Sequence, residues 1–400
     1  MALFLTDQVK NGKILITDGD YKHTLGAIRF LARAGYRVDA IGDPRCLSAW
    51  SKYLSRISYP QSGLREECFG DFLDFLREEK YDVLLPIGAR SVKLIADHKD
   101  EIEKYCEVPI ADYEKIATCL EKTATYSLAR DIGINVPETW AFSSIKELED
   151  NLGDIIFPVV VKANNEIAKD KPMYAFNKDE LLDALKIWGR KITFSRKTFP
   201  IIQRYIKGNG HGFFALYQNG ICKQIFMHKR IRQIPPSGGA SCCAVSIYEE
   251  DLKQAGMNIL NVLKWHGVAM VEFKREEYTG DLYLMEINPK FWGSLDLALA
   301  SGVNFPTLAV SMAMGEDIQY SEKYQIGLRF HWPLDGEIAH LKDNLGAIWA
   351  VLRDCINPDI KSNIWLNDPM PSFVSLYREM RGMAVASVRY CIPGFRKRNG

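Results

Sequence analysis

Two neighbouring segments restrict this chain more than any others: VAMVEF, ending at Phe273, and LYLMEINPKFW, spanning 282–292. Both have the short apolar character of strands. Tyr278, Thr279 and Gly280 lie between them and supply turn residues that would fold the pair into a hairpin. Alternation along a strand puts Glu286 and Asn288 on one face, and Glu272 shares the parity of Val268 and Met270. A pairing centred on Thr279 sets Glu272 opposite Glu286, with Cβ atoms about 5 Å apart. Carboxylates that close repel each other unless a cation lies between them, and oxygen-only ligands suit a hard ion such as Mg²⁺. A slip of one residue would turn Glu272 to the other face and remove the site. The pattern therefore has two readings, a metal–phosphate site or a hairpin with exposed acids on its solvent side. Pro289 bears on the choice: it has no N–H, so it ends regular pairing directly after Asn288, ahead of an apolar helix-like run at 295–300.

At 400 residues the chain can hold two or three domains, each with its own core. A formal net charge of +1 gives no general electrostatic case for nucleic acid or an anionic membrane. The basic last residues, PGFRKRNG, read as a solvated tail. The opening MALFLTDQVKNGK lacks the apolar stretch and small-residue site of a signal peptide, and no run approaches the ~18 apolar residues of a membrane helix. The nine cysteines form no C-x-x-C pair, and Cys242 and Cys243 are simply adjacent. Reduced thiols in a cytoplasmic protein, with no structural zinc and no membrane insertion, are the expectation.

The first 110 residues alternate strand and helix. Residues 13–18 (KILITD) read as a buried strand, 23–34 as a helix stopped by Gly35, and 36–42 as the next strand. A helix at 69–80 and a strand at 82–86 continue the pattern, which is that of a parallel α/β unit. Its first turn, DGDYKHTLG, does not fit G-x-G-x-x-G, which excludes a nicotinamide oxidoreductase of the usual kind. From about Tyr113 the character becomes α+β. Strands are expected at 158–163, 200–206, 212–217 and 222–232, with helices at 178–188 and 249–265 between them. After Pro333 the pattern is mainly helical.

Several basic residues invite an anion. Lys162 ends the apolar strand VVVK, where an ammonium is costly to bury without a partner, although a strand-end lysine can also snorkel to water. Lys122 opens a helix, and a solvated surface lysine is its other reading. His228, Arg230 and Arg232 alternate along one strand, so a single face would carry two guanidiniums able to share an anion, or simply be exposed. The following loop, IPPSGGAS, offers backbone N–H groups at Ser237, Gly238, Gly239 and Ser241.

Taken together, EKTATYSLARDIGINVPET, FPVVVKA, IIQRYIKGNGHG, HKRIRQIPPSGGAS, VEFK and MEINPKFWGSLDLALASGVNFP resemble the ATP-grasp superfamily, in particular its carboxylate–amine ligase-like and carbamoyl-phosphate-synthase-like members, over about 113–306. The resemblance implies an α/β plus α+β architecture. A Rossmann-like preceding domain would occupy 1–110, a two-subdomain ATP-grasp fold 111–330, and a mainly helical extension 331–400. It implies ATP with Mg²⁺ (or Mn²⁺), the metal held by Glu272, Glu286 and Asn288. Lys122 and Lys162 would contact phosphates, and the backbone of Gln203, Arg204, Tyr205 and Ile206 would receive the adenine. Arg230, Arg232 and Lys290 would stabilise the transferring phosphoryl group, and Ser237, Gly238, Gly239 and Ser241 would face the acceptor. Lys290 stands where the family usually has arginine, and Arg204 where an acid is common in the hinge.

The implied reaction activates a substrate carboxylate as an acyl phosphate, releases ADP and joins the acyl group to an amine. Partners would be the small-molecule carboxylate and amine and, as an option, a second copy in a homodimer. A carboxylate or carbamate phosphorylating enzyme and a non-catalytic ATP-binding sensor are the competing functions.

Overall fold

The computed structural model describes residues 11–165, 167, 171–190, 194, 198–235 and 238–391, with 383–391 described by backbone alone. Ser237 and part of the segment after Ala163 lie outside these residues.

Four parallel strands build the N-terminal sheet in the order Arg56–Tyr59, Arg37–Ile41, Lys13–Ile16, Val83–Leu85. The helix Lys22–Arg33 follows the first strand, burying Leu25, Ile28 and Leu31. The chain winds outward from Lys13–Ile16 on one side and returns to its other side as Val83–Leu85. The order therefore reverses between these two strands, and a crevice opens beyond their carboxyl ends.

The central sheet has seven strands in the order Leu282–Asn288, Gly267–Glu276, Gly208–Gln218, Ile221–Ile234, Ala240–Ser246, Arg329–His331, Lys361–Ser362. All pairs are antiparallel except the last. Its alternation separates two cores. Phe213, Ala215, Tyr217, Val271 and Phe273 pack on one face with the helix Glu250–Val262. Phe214, Leu216, Val268 and Met270 pack on the other with Trp292 and the helices Leu295–Ala300 and Phe305–Ala313. Each core also takes residues from the N-terminal sheet, Leu15 and Leu84 in the first, Ile14 and Ile16 in the second.

A small lobe of four antiparallel strands, ordered Thr139–Ala141, Ile201–Arg204, Val159–Lys162, Met173–Ala175, has its own core. The helix Lys178–Gly189 covers it, started by the Asn177 side chain, which accepts the Glu180 N–H at 3.0 Å. The C-terminal part is mainly helical, as expected, but its strands Arg329–His331 and Lys361–Ser362 extend the central sheet. Their apolar runs are too short for periodicity to reveal.

Candidate functional site

The hairpin register sets the site. Glu272 pairs with Glu286 and Met270 with Asn288, so the three oxygen-bearing side chains share the sheet face above Met270 and Phe214. The strands Gly267–Glu276 and Gly208–Gln218 run flush from Gly267↔Tyr217 to Glu276↔Gly208; the hairpin pairing itself slips by one residue just after Glu272, where Phe273 lies opposite Leu284, so the shared face holds over 270–272 and 286–288.

Each of the three groups meets a cation. Glu272 is clasped by the Arg230 guanidinium, one arm at 2.6 Å and the other, Nη2 to Oε2, closer still. Arg230 also donates to Ser241 Oγ at 3.1 Å. Gly210 makes room for it, since a Cβ there would lie 2.9 Å from Arg230 Cδ. Burial works against the Arg230 charge, but Glu272 and, further off, Glu286 outweigh it and hold its pKa above the usual value. Glu286 accepts from Asn288 Nδ2 at 3.0 Å and lies 3.2 Å from Lys122 Nζ. Lys290 Nζ reaches Asn288 Oδ1 at 2.7 Å.

Lys122 is buried, not the solvated lysine that its helix-opening position also allowed. Its helix, Lys122–Asp131, is pinned at the start by one asparagine. The Lys122 N–H donates to the Asn164 carbonyl at 2.9 Å and the Thr123 N–H to Asn164 Oδ1 at 3.0 Å. One turn on, Tyr126 donates to the Met285 carbonyl at 2.7 Å and accepts from Lys162 Nζ at 3.1 Å. Tyr126 thus ties Lys162 of the small lobe to the strand bearing Glu286. Its position four residues after Lys122 on a helix, hence on the same face, was the available signal for it.

Lys274 was not singled out from sequence either, although it alternates with Glu272 on one strand. Its Nζ donates to the Ile206 carbonyl at 2.9 Å and sits 4.8 Å from the Tyr205 ring centroid. Burial is the main force lowering its pKa, to about 8; Glu272 opposes the shift, while Lys162 and Arg230 add to it. Gly238 lies against it, a Cβ there falling 3.9 Å from Lys274 Nζ. Gly239 has φ of 155°, and a Cβ would sit 1.9 Å from the Ile234 carbonyl, so only glycine fits the turn.

Two expectations need correction. Arg232 does not share a face with Arg230. The pairing slips, with Arg230 opposite Ala244 but Arg232 opposite Cys243, and this bulge breaks the two-residue alternation. Arg232 instead pairs with Glu337 and with Asp354 at 2.6 Å in a buried cluster that Arg329 joins at 2.7 Å. An anion shared by the two guanidiniums is therefore excluded, and so is a direct role for Arg232 at the hairpin. His228 is fully buried against Phe214, and burial holds its imidazole neutral. In the hinge, the N–H groups of Arg204 and Tyr205 are already engaged by the carbonyls of Glu138 (2.8 Å) and Pro158 (2.9 Å). The Gln203 amide is engaged by Thr139 Oγ1 at 2.8 Å. Arg204 faces Glu276 at 3.5 Å and lies over the Tyr283 ring. Trp292 belongs to the core, between Phe214 and Phe305.

Beside Lys290, a cavity of about 250 Å³ opens at the N-terminal sheet's crevice, lined by Tyr21, His23, Gly88, Arg90, Lys290 and Phe291. Burial, with Lys290 and Lys22 nearby, depresses the His23 pKa to about 3, so the ring is a neutral hydrogen-bonding group at neutral pH.

The oxygen-only set of Glu272, Glu286 and Asn288 fits a divalent hard cation. Around it stand five basic side chains, Lys122, Lys162, Arg230, Lys274 and Lys290, against two carboxylates. That excess is the electrostatic condition for a polyanion with its metal.

Residues 225–333 match the family described as ATP-grasp in the biosynthetic pathway with Ter operon. The N-terminal section of the carbamoyl phosphate synthase large chain of Methanopyrus kandleri is 25% identical over 254 residues, covering 60% of this chain and 44% of that protein. D-aspartate ligase of Enterococcus faecium is 22% identical over 242 residues, 57% of each chain. The chain thus spans about half the length of these curated relatives. Among solved structures, the biotin carboxylase domain of 2-oxoglutarate carboxylase from Hydrogenobacter thermophilus, in complex with MgADP and bicarbonate, superposes with a TM-score of 0.64 at 14% identity, covering 80% of this chain and 73% of that one. The L-amino acid ligase of Bacillus licheniformis gives 0.58 at 18% identity, covering 76% and 74%.

Proposed function

The chain has the ATP-grasp fold, and we propose from that premise that it is an ADP-forming ligase joining a carboxylate to an amine. The observation that carries the proposal is the Glu272↔Glu286 register, which sets two acids and Asn288 among five cations. Carbamoyl phosphate synthase, D-aspartate ligase and L-amino acid ligase relatives support the reaction class. The domains would be divided as 1–110, 111–330 and 331–400.

In this reading Glu272, Glu286 and Asn288 hold Mg²⁺, which when bound neutralises the β- and γ-phosphates of ATP. Lys122 and Lys162 receive phosphate oxygens, and Lys274 adds a third ammonium beside the hinge. Arg230, Lys122 and Lys290 contact the metal-binding groups, so they stand where their donors would meet phosphoryl oxygens. A carboxylate oxygen of the substrate attacks the γ-phosphorus, and the bond to the β-bridging oxygen breaks to give ADP and an acyl phosphate. The amine then attacks the acyl carbon, loses a proton and expels phosphate. Charge stabilisation and positioning account for such chemistry without a protein nucleophile. The cavity at Tyr21, His23, Arg90 and Lys290 is the proposed acceptor pocket, adjoining the metal group through Lys290.

An ADP-release screen of carboxylates crossed with amines, with mass detection of the joined product, tests the proposal. Amine-dependent product supports ligation. ADP release that yields only hydroxylamine-trappable acyl phosphate would assign a phosphorylating enzyme, and ATP binding without turnover across the panel would assign a sensor.

A further inference from the structure

The cavity beside Lys290 is lined by two cations, Arg90 and Lys290, and by no carboxylate. The two cations come from different parts of the chain. Lys290 follows the hairpin and is tied to the metal-binding group through Asn288 Oδ1 at 2.7 Å. Arg90 stands in the first turn of the helix Ala89–Asp97, which follows the strand Val83–Leu85 of the N-terminal sheet. Its side chain makes no hydrogen bond or ion pair with any described residue.

The backbone adds to that sign. The helix Lys22–Arg33 also begins at the cavity, beside Tyr21 and His23. Neither helix has a side-chain cap or an acid in its first turn, so the positive ends of both add to the two side-chain charges. The acids beside Tyr21 are already engaged: Asp18 accepts the Gly88 N–H at 2.7 Å, and Asp20 accepts from Arg378 at 2.7 Å and from the Leu47 N–H at 2.9 Å. Such a wall attracts anions, and it lies in the crevice where an open α/β sheet receives its ligands.

A substrate with one carboxylate leaves part of this charge unanswered. The carboxylate that meets the γ-phosphate belongs beside Lys290, next to Asn288, and the Arg90 guanidinium then has no partner. Neutral His23 and the apolar Ala89, Ile167 and Phe291 supply surface for an uncharged carbon chain. We propose that the acid substrate is dianionic: one carboxylate is activated beside Lys290, and a second anionic group, carboxylate or phosphate, pairs with Arg90, which sets the specificity. The choice of reacting carboxylate rests on the ligase reading above; the cavity's preference for a dianion does not.

Calorimetric titration of the full chain in magnesium tests it, with malonate, succinate, glutarate and adipate, each beside its monoamide, and with phosphonocarboxylates of matching length. At least one dianion should bind about tenfold or more tighter than its monoamide. A preference for the phosphonate or for the dicarboxylate supports the proposal equally and names the second group. Arg90 is exposed, so Arg90→Gln should keep the wild-type circular dichroism while bringing that dianion down to the affinity of the monoamide, and Arg90→Lys should restore part of the difference. Equal binding of every dianion and its monoamide, binding of none, or a preference that persists in folded Arg90→Gln would overturn the proposal. Failure of the ligase reading looks different: Arg90-dependent binding of a dianion that releases no ADP with any amine would overturn ligation and leave the dianion site standing. ADP release from acids without a second anion, at a kcat/KM equal to that of the dianions, would overturn the dianionic substrate and leave ligation standing.

Discussion

Arg230 and Arg232 stand two residues apart on one strand, the first partly buried and the second buried, both clasped by carboxylates, yet their surroundings differ in charge. Around Arg230, five basic side chains face two acids. Around Arg232, two guanidiniums, its own and that of Arg329, meet two carboxylates, Glu337 and Asp354. The cluster around Arg232 is matched in charge and joins the C-terminal region to the central sheet. An unmatched one, held in partly buried surroundings, is the electrostatic ground on which an anion from outside is proposed. A buried ion pair alone therefore does not mark a functional site; the surplus of one sign does.

Substitutions can break this contrast in graded steps. Glu286→Ala should lower substrate-dependent ADP release by about a thousandfold or more while leaving the fold intact, as circular dichroism would check. Near-normal turnover in magnesium would remove the metal assignment. Glu337→Ala should do the reverse. Leaving Arg232 buried without its main partner should cost about 3–5 kcal/mol of stability in denaturant titration, with the nucleotide dissociation constant of the folded fraction unchanged. An equal loss of ATP affinity would mean that the two clusters are not separate.

A subtler effect sharpens the surplus itself. Because burial lowers the Lys274 pKa to about 8, its ammonium is present below that pH and disappears as pH rises through it. The kcat/KM for ATP should decline above about pH 8, by about tenfold if one phosphate contact is lost. Lys274→Met should be slow throughout and lack that limb. A wild-type profile without it would exclude Lys274 from nucleotide binding. The smallest change is expected from Arg204→Ala. Its contact with Glu276 is long and partly exposed, so the stability loss should stay below about 1 kcal/mol, and a KM shift of more than a few-fold would indicate an unsuspected nucleotide contact.

Much of this organisation was legible in the sequence because it rests on period. The alternation that places Glu272, Glu286 and Asn288 on one face holds through the segment that carries them, and the Glu272↔Glu286 pairing matches the expected register. The same rule failed at Arg232, where a bulge inserts a residue that hydrophobic pattern does not announce. Lys122 was ambiguous because its burial depends on Glu286, far along the chain. Tyr126 and Lys274 are within reach of helical and strand spacing, but a tyrosine and a lysine on such faces carry no mark of their own until their partners, the Met285 and Ile206 carbonyls, are in place. The strands Arg329–His331 and Lys361–Ser362 were beyond pattern reading, since two or three residues carry no period. The hydrogen-bond partners of the hinge were beyond pattern reading too: backbone N–H groups look alike in any sequence, and their partners are fixed only once the chain is folded.

Two residues beyond the end of the Lys162 strand, Asn164 accepts from the first turn of the Lys122 helix through both its carbonyl and its amide oxygen, so it fastens that strand's exit to the helix carrying Lys122. The placement of both lysines therefore passes through a single side chain, and a substitution at Asn164 would disturb the two ammonium groups together.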